Sequence, residues 1–229
     1  MADHPIPFSA PMVRALMHEI ERPGTGKTQT RRALRMPDAA FDAVFNDNGV
    51  WSIGDALTGA REHKLPVRHR AGDRLYVREH WRADIAYDDR PPRDLSDRVA
   101  LWYEADGATV GGGVRGRFRQ ARHMPRRFSR LTLIVSEVRV ERLQKISEED
   151  AIAEGIEDVT REVAAGDPSL RFWKRYRDGG WNGYVDTAVG SYASLWTEIN
   201  GPGSWDANPW VAAYSFRPLL GNIDQIGGA

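Results

Sequence analysis

The sequence predicts a mixed α+β fold in which a curved, barrel-like sheet is flanked by helices and carries long inserted loops. Three observations predict it. In residues 72–79, Leu75 and Val77 alternate with Arg74, Tyr76 and Arg78, the period-two pattern of a strand with one buried face. In residues 129–143, Leu131, Leu133 and Val135 share one parity while Val138 and Val140 share the other, so the inward face changes near Ser136 or Glu137. A bulge or bend of that kind is how a curved sheet turns a corner. Helical spacing then appears after Ser9 and again after Ser147.

Taken in order, residues 1–8 read as extended. Ser9 is placed to cap a helix, Pro11 suits its first turn, and Val13, Leu16, Met17 and Ile20 recur at helical spacing until Pro23. Residues 37–69 have weak periodicity and read as an insertion, with a short strand at Trp51 and Ile53. After the strand at 72–79 comes a loop rich in Asp, Arg and Pro. Val99, Leu101 and Tyr103 form another strand, and Gly107 and Gly111 to Gly113 mark a flexible connection; residues 82–123 are a second insertion. Ser147 caps a short helix whose first turn is acidic and whose stop is Gly155. Residues 157–190, with Phe172, Trp173, Tyr176, Trp181 and Tyr184, are a third insertion, folded over the core as a lid or packing arm. A helix resumes from Ser191 to Asn200, Trp210 to Phe216 alternate as the last strand, and the tail from Pro218 is expected to fray. Residues 1–229 are thus read as one domain with three insertions.

Composition excludes several classes. The 229 residues balance 32 basic against 32 acidic side chains and contain no cysteine, so disulfides, cysteine nucleophiles and thiolate zinc sites are ruled out. No apolar run is long enough to span a bilayer and no signal-peptide pattern opens the chain, which fits a cytoplasmic protein without a membrane partner. The six histidines lack the helical pair spacing of a zinc site, so no metal or other cofactor is expected. Neutral charge hides one basic run: Arg115, Arg117, Arg119, Arg122, Arg126, Arg127 and Arg130 have no acid among them. It is read either as an RNA-phosphate surface or as a face paired with acids elsewhere.

The stretch with most chemistry is Pro Gly Thr Gly Lys Thr Gln Thr Arg Arg at residues 23–32. It is not a P-loop, because Glu21 stands where that motif needs its first glycine and no hydrophobic strand precedes it. Lysine occurs only at Lys27, Lys64, Lys145 and Lys174, and a lysine, unlike an arginine, can lose its proton when burial or nearby cations lower its pKa. If the chain turns after Gly26, Lys27 and Thr30 share a face and form an amine–hydroxyl pair, the core of an activated nucleophile. The plain alternative is a solvated loop lysine. Glu154, an acid in the last turn of its helix, opposes the helix dipole unless a cation meets it, and Lys27 is the candidate. Glu79 and Trp81, at the end of their strand, are expected to line a pocket in which the indole stacks on a planar ligand; a core tryptophan beside a solvated acid is the alternative.

In this order, the helix leading into Gly Lys Thr Gln Thr Arg Arg, the Gly Asp Arg Leu Tyr Val strand, and the strand followed by Ser Glu Glu Asp Ala Ile Ala Glu Gly Ile together resemble the ASCH domain, a PUA-like β-barrel flanked by helices, especially its phage and prophage members. Within that superfamily the chain looks like the small bacterial amidohydrolases that deacylate N4-acetylcytidine. The resemblance implies catalytic roles for Lys27, Thr30 and Glu154 and carries the motif's final arginine onto Arg32. The chain is longer than those minimal enzymes, and its loop before Lys27 is longer too. The activity implied is that of an amidohydrolase acting on N4-acylated cytidine or deoxycytidine. Thr30 attacks or orients a water, neutral Lys27 takes the proton, and Glu154 holds the lysine or shuttles protons to the ring. The partner is then a modified nucleoside; an RNA-binding module and a metal-independent ribonuclease are the alternatives.

Overall fold

The structure, a computed structural model, describes residues 2–35, 43–107, 113–164, 167, 169–177 and 183–227. In chain order its strands and α-helices are β1 (Asp3–Pro7), α1 (Ala10–Glu21), β2 (Gln29–Ala33), β3 (Ala43–Asp47), β4 (Val50–Gly54), β5 (Arg61–Lys64), β6 (Arg74–Arg78) and β7 (Trp81–Ala83). Then come β8 (Leu101–Tyr103), β9 (Leu131–Arg142), α2 (Glu148–Ala153), α3 (Thr160–Val163), β10 (Trp173–Lys174), β11 (Tyr184–Val185), α4 (Ala188–Asn200) and β12 (Trp210–Leu220). The mixed α+β class is therefore as expected. The chain divides into two compact units, the first of Met1–Gly26, Gly72–Val135 and Phe216–Ala229, the second of Lys27–Ala71 and Ser136–Ser215.

In the first unit, α1 buries Met12, Val13 and Leu16 on one stripe, the period its sequence foretold. Ser9 sits at the N-cap, but its side chain makes no capping bond. The N-terminal stretch is more than extended. As β1 it pairs in parallel with β6, Asp3 opposite Arg74 through Pro7 opposite Arg78, and β6 pairs antiparallel with β9. Residues 82–123 carry part of this unit's core: Leu95 and Val99 pack with Trp81, Ala83, Met124 and Phe128 beside the β7–β8 pair. The tail is anchored rather than frayed. Ile223 is buried, the Asn222 amide donates to the carbonyls of Arg126 and Ser129, and Arg74 donates to those of Ile223 and Ile226.

The second unit holds β2, which pairs antiparallel with β12, and the meander β3–β4–β5 formed by part of the expected 37–69 insertion. Ile53 from that meander and Leu65 just after it pack with Leu34, Trp210, Ala212 and Tyr214, and Val138 and Val140 close the cluster. Residues 157–190 supply α3 and the two-residue pair β10–β11, with Phe172 edge-on to Tyr184. Trp181, Gly111 and Gly112 lie outside the described residues. The helix expected from Ser191 starts earlier, at Ala188, because Thr187 caps it through the Gly190 amide.

The largest sheet has the order β1-β6-β9-β12-β2. Among the described residues no pairing joins β1 to β2, so the sheet is open, which corrects the expectation of a closed barrel. The face switch in β9 is real, but it serves a different end. Leu131, Leu133 and Val135 are buried in the first unit, Ser136 and Glu137 are exposed, and Val138 and Val140 then pack in the second.

Candidate functional site

The second unit begins at the lysine that the sequence singles out. The loop ahead of it turns at residues 23–26, where Gly24 takes a φ of 85° open to glycine at little cost. Glu19 gathers this loop: its carboxylate accepts from the amides of Gly24, Thr25 and Gly26 at 2.9, 3.1 and 2.8 Å. After Lys27 the amide of Thr28 donates to the carbonyl of Ala153 at 2.9 Å, which brings this stretch to the end of α2.

Lys27 is 1% exposed, so the solvated-loop alternative does not hold. Its amine donates to Glu154 Oε2 at 2.9 Å and to the Glu154 backbone carbonyl. Glu154, 3% exposed, is the C-cap of α2, and Gly155 ends that helix with a φ of 81°. An acid there works against the carbonyl end of the dipole, and the ammonium supplies the compensation. Ser147 caps the other end of α2 by accepting from the Asp150 amide at 3.1 Å.

A second cation reaches the same carboxylate. Arg31, whose side chain is 0% exposed, donates to Glu154 Oε1 at 3.3 Å, Glu141 at 2.8 Å and Asp150 at 2.6 Å, and also to the Gln29 side-chain carbonyl. Asp150 in turn accepts from Arg139 at 2.7 Å and from Gln29 at 3.2 Å. Burial, the largest influence, pulls the Lys27 amine below the ordinary lysine range; Glu154 pulls upward, and Arg32 and then Arg31 pull down again, leaving a net lowering. Tyr192 on α4 lies close enough for its phenol to feel the cluster: burial, then the Glu154 charge, hold it well above the ordinary tyrosine range.

Thr30 is buried in β2 opposite Tyr214, and strand alternation puts it and Arg32 on one face, with Gln29 and Arg31 on the other. Lys27 and Thr30 therefore do not share a helical turn, since the bend comes before the lysine and the threonine already lies in a strand. Glu79 and Trp81 belong to the first unit. Glu79 is buried and held by both arms of Arg130 at 2.9 and 3.0 Å, with burial raising its pKa. The Trp81 indole is enclosed, with Phe128 at 5.4 Å and the Arg119 guanidinium 5.3 Å from its ring.

The basic run resolves mostly into internal partners. Arg126 pairs with Asp3 and Asp224, Arg127 with Asp97, and Arg130 with Glu79 and Asp106, while Arg119 is buried against the carbonyls of Tyr87 and Arg90. Sequence reasoning offers Arg31 and Arg32 as cations near Lys27, and both do lower its pKa, but it missed Glu141 and Asp150 and the bond from Arg31 to Glu154. A signal was available, because Gln29 and Arg31 share a parity in a five-residue strand and only one of two adjacent arginines can face a helix. No helix among the described residues is long and apolar enough to cross a membrane. Compared with known proteins, the chain matches no family model, no curated protein and no solved structure.

Proposed function

We propose that this protein is a cytoplasmic amidohydrolase that removes the acyl group from N4-acetylcytidine or a related N4-acylated cytidine. The observation that carries the reading is a fully buried lysine amine set against a carboxylate, with burial and two arginines drawing it toward the neutral form a base requires. The order of motifs that resembles the ASCH domain supports the choice of substrate, and with it a PUA-like ancestry in which the sheet is left open.

Neutral Lys27 takes the proton of the attacking oxygen, which is either the Thr30 hydroxyl or a water that the hydroxyl orients. The new bond forms at the acyl carbon, the bond from that carbon to N4 breaks, and the lysine returns its proton to the departing amine; where Thr30 is the attacker, a water deprotonated by Lys27 then cleaves the ester, releasing the acid and restoring the hydroxyl. Glu154 keeps the amine aligned through both transfers. Arg32, on the Thr30 face of the strand, is suited to receive the developing negative charge on the acyl oxygen.

Incubation with N4-acetylcytidine, followed by the ultraviolet shift to cytidine, tests this directly. Turnover is expected with wild type and at least about a hundredfold more slowly with Lys27→Met. Absence of turnover across a panel of acyl-cytidines, at enzyme above substrate, ends the proposal. An acyl group trapped on Thr30 and seen by mass spectrometry after acid quench would identify the threonine as nucleophile; its absence during active turnover would assign attack to water.

A further inference from the structure

Arg31 reaches the Glu154 carboxylate directly, yet neither the Lys27–Thr30 spacing nor the ASCH resemblance gives it a role, since the motif's arginine falls on Arg32. Its guanidinium is out of solvent and gathers three carboxylates, Glu141 on β9, Asp150 in the first turn of α2 and Glu154 at the C-cap of that helix. For anchoring alone, Glu141 and Asp150 at 2.8 and 2.6 Å would serve. The third contact divides one carboxylate between two cations, Oε1 to Arg31 and Oε2 to Lys27.

That division has a chemical consequence. If Lys27 gives up its proton in a buried site, a carboxylate served by the lysine alone would be left as an uncompensated charge, which is costly enough to hold the proton in place. With Arg31 on the other oxygen, Glu154 keeps a permanent counter-charge in both states of the lysine, because arginine does not deprotonate. We infer that Arg31 is a positioning residue of this site: it keeps the Glu154 carboxylate oriented and paired with a fixed cation while Lys27 cycles between its protonated and neutral forms. The inference rests on the base role proposed for Lys27. The charged and titratable groups around the pair are Glu154 and Asp150 from α2, Arg31 and Arg32 from β2, Glu141 and Arg139 from β9 and Tyr192 from α4.

The test uses the full chain and two substitutions with opposite expected signs. Arg31→Lys keeps one charge but cannot span three carboxylates, so Glu154 turns its charge more fully on Lys27. The limb along which kcat/KM rises with pH should move to higher pH by about one unit, and kcat should fall roughly 10- to 100-fold with KM nearly constant. Glu141→Gln does the reverse, since Arg31 then gives more of its charge to Glu154, and the limb should move to lower pH. A purely structural arginine would lower Tm without moving either limb. Limbs unmoved in Glu141→Gln, per folded molecule, overturn the inference even if Arg31→Lys fails to fold. The same shifts can be read without turnover, because a protein with four lysines and 13C-labelled lysine gives a titration for Lys27 by NMR. A wild type that does not deacylate, but whose Lys27 midpoint moves as stated, keeps Arg31 in this role and sinks only the substrate.

Discussion

Lys27 stands between two opposing pulls, and the side that wins fixes how any activity depends on pH. Burial and the arginines outweigh Glu154, so its folded value lies below the ordinary lysine value of 10.5. Activity should therefore rise with pH as the amine deprotonates, and reach its plateau below that value. Lys27→Arg should keep the ion pair with Glu154, leave circular dichroism unchanged, and abolish turnover, since a guanidinium cannot serve as the base. Lys27→Met should cost roughly 10²- to 10⁴-fold in kcat, the usual worth of a positioned base. A Lys27→Arg protein with near wild-type turnover would show that the proton does not pass through this side chain. Much of this site was legible in the sequence. The scarcity of lysine picked out Lys27, and an acid misplaced on its helix dipole picked out Glu154. Arg31 was legible as a cation near Lys27, but its hold on Glu154, and Glu141 altogether, were not, because they depend on which face of β2 meets α2 and β9.

At the scale of elements, α2 is only six residues long, too short to persist by itself, yet it carries Glu154. Tertiary bonds hold it. The Glu148 carboxylate accepts from the first amides of α4, Ala188 at 2.6 Å and Val189 at 3.2 Å, and thereby caps one helix with a side chain from the other. Glu148→Gln should cost about 1–2 kcal/mol, as expected for a lost charge-assisted bond, and Ser147→Ala about 1 kcal/mol for a lost cap. Urea unfolding should read both, with the denaturant slope unchanged. The loop before Lys27 makes a sharper case. A Cβ on Gly26 would lie 2.4 Å from the Ala15 carbonyl and 2.5 Å from the Glu19 amide, and backbone atoms of a helix cannot step aside. Gly26→Ala should therefore destabilise by about 1–3 kcal/mol, whereas Gly24, which has open space around its Cβ position, is constrained only through its φ. Equal effects of alanine and serine at Gly24 and a larger effect at Gly26 would separate the two causes.

For the molecule as a whole, the sequence disclosed the class, most elements and the face switch in β9, because these are local patterns of period two and 3.6. It did not disclose the parallel partnership of β1 with β6, which joins residues some seventy positions apart, nor the anchoring of the tail, which depends on an arginine of β6 and an asparagine of the tail itself. The stretches read as insertions looked irregular because their apolar residues follow no regular period, although Ile53, Leu65, Leu95 and Val99 pack against strand residues distant in sequence. Global stability against pH then tests the site without any substrate. Arg139 and Arg31, acting against burial, hold Asp150 below its ordinary 3.8, so the stability it contributes is complete above that value and is lost as pH falls through the lowered one. Asp150→Asn should flatten this acid limb while lowering Tm at neutral pH. At the other end the sign reverses in origin. A lysine whose folded value is depressed binds fewer protons folded than unfolded between that value and 10.5, so Lys27 makes the protein more stable as pH climbs through this window. Replacing it with methionine should remove that rise. If the methionine variant keeps the wild-type slope, the buried amine retains its proton throughout, and a lysine that never becomes neutral cannot be the base on which the hydrolytic reading depends.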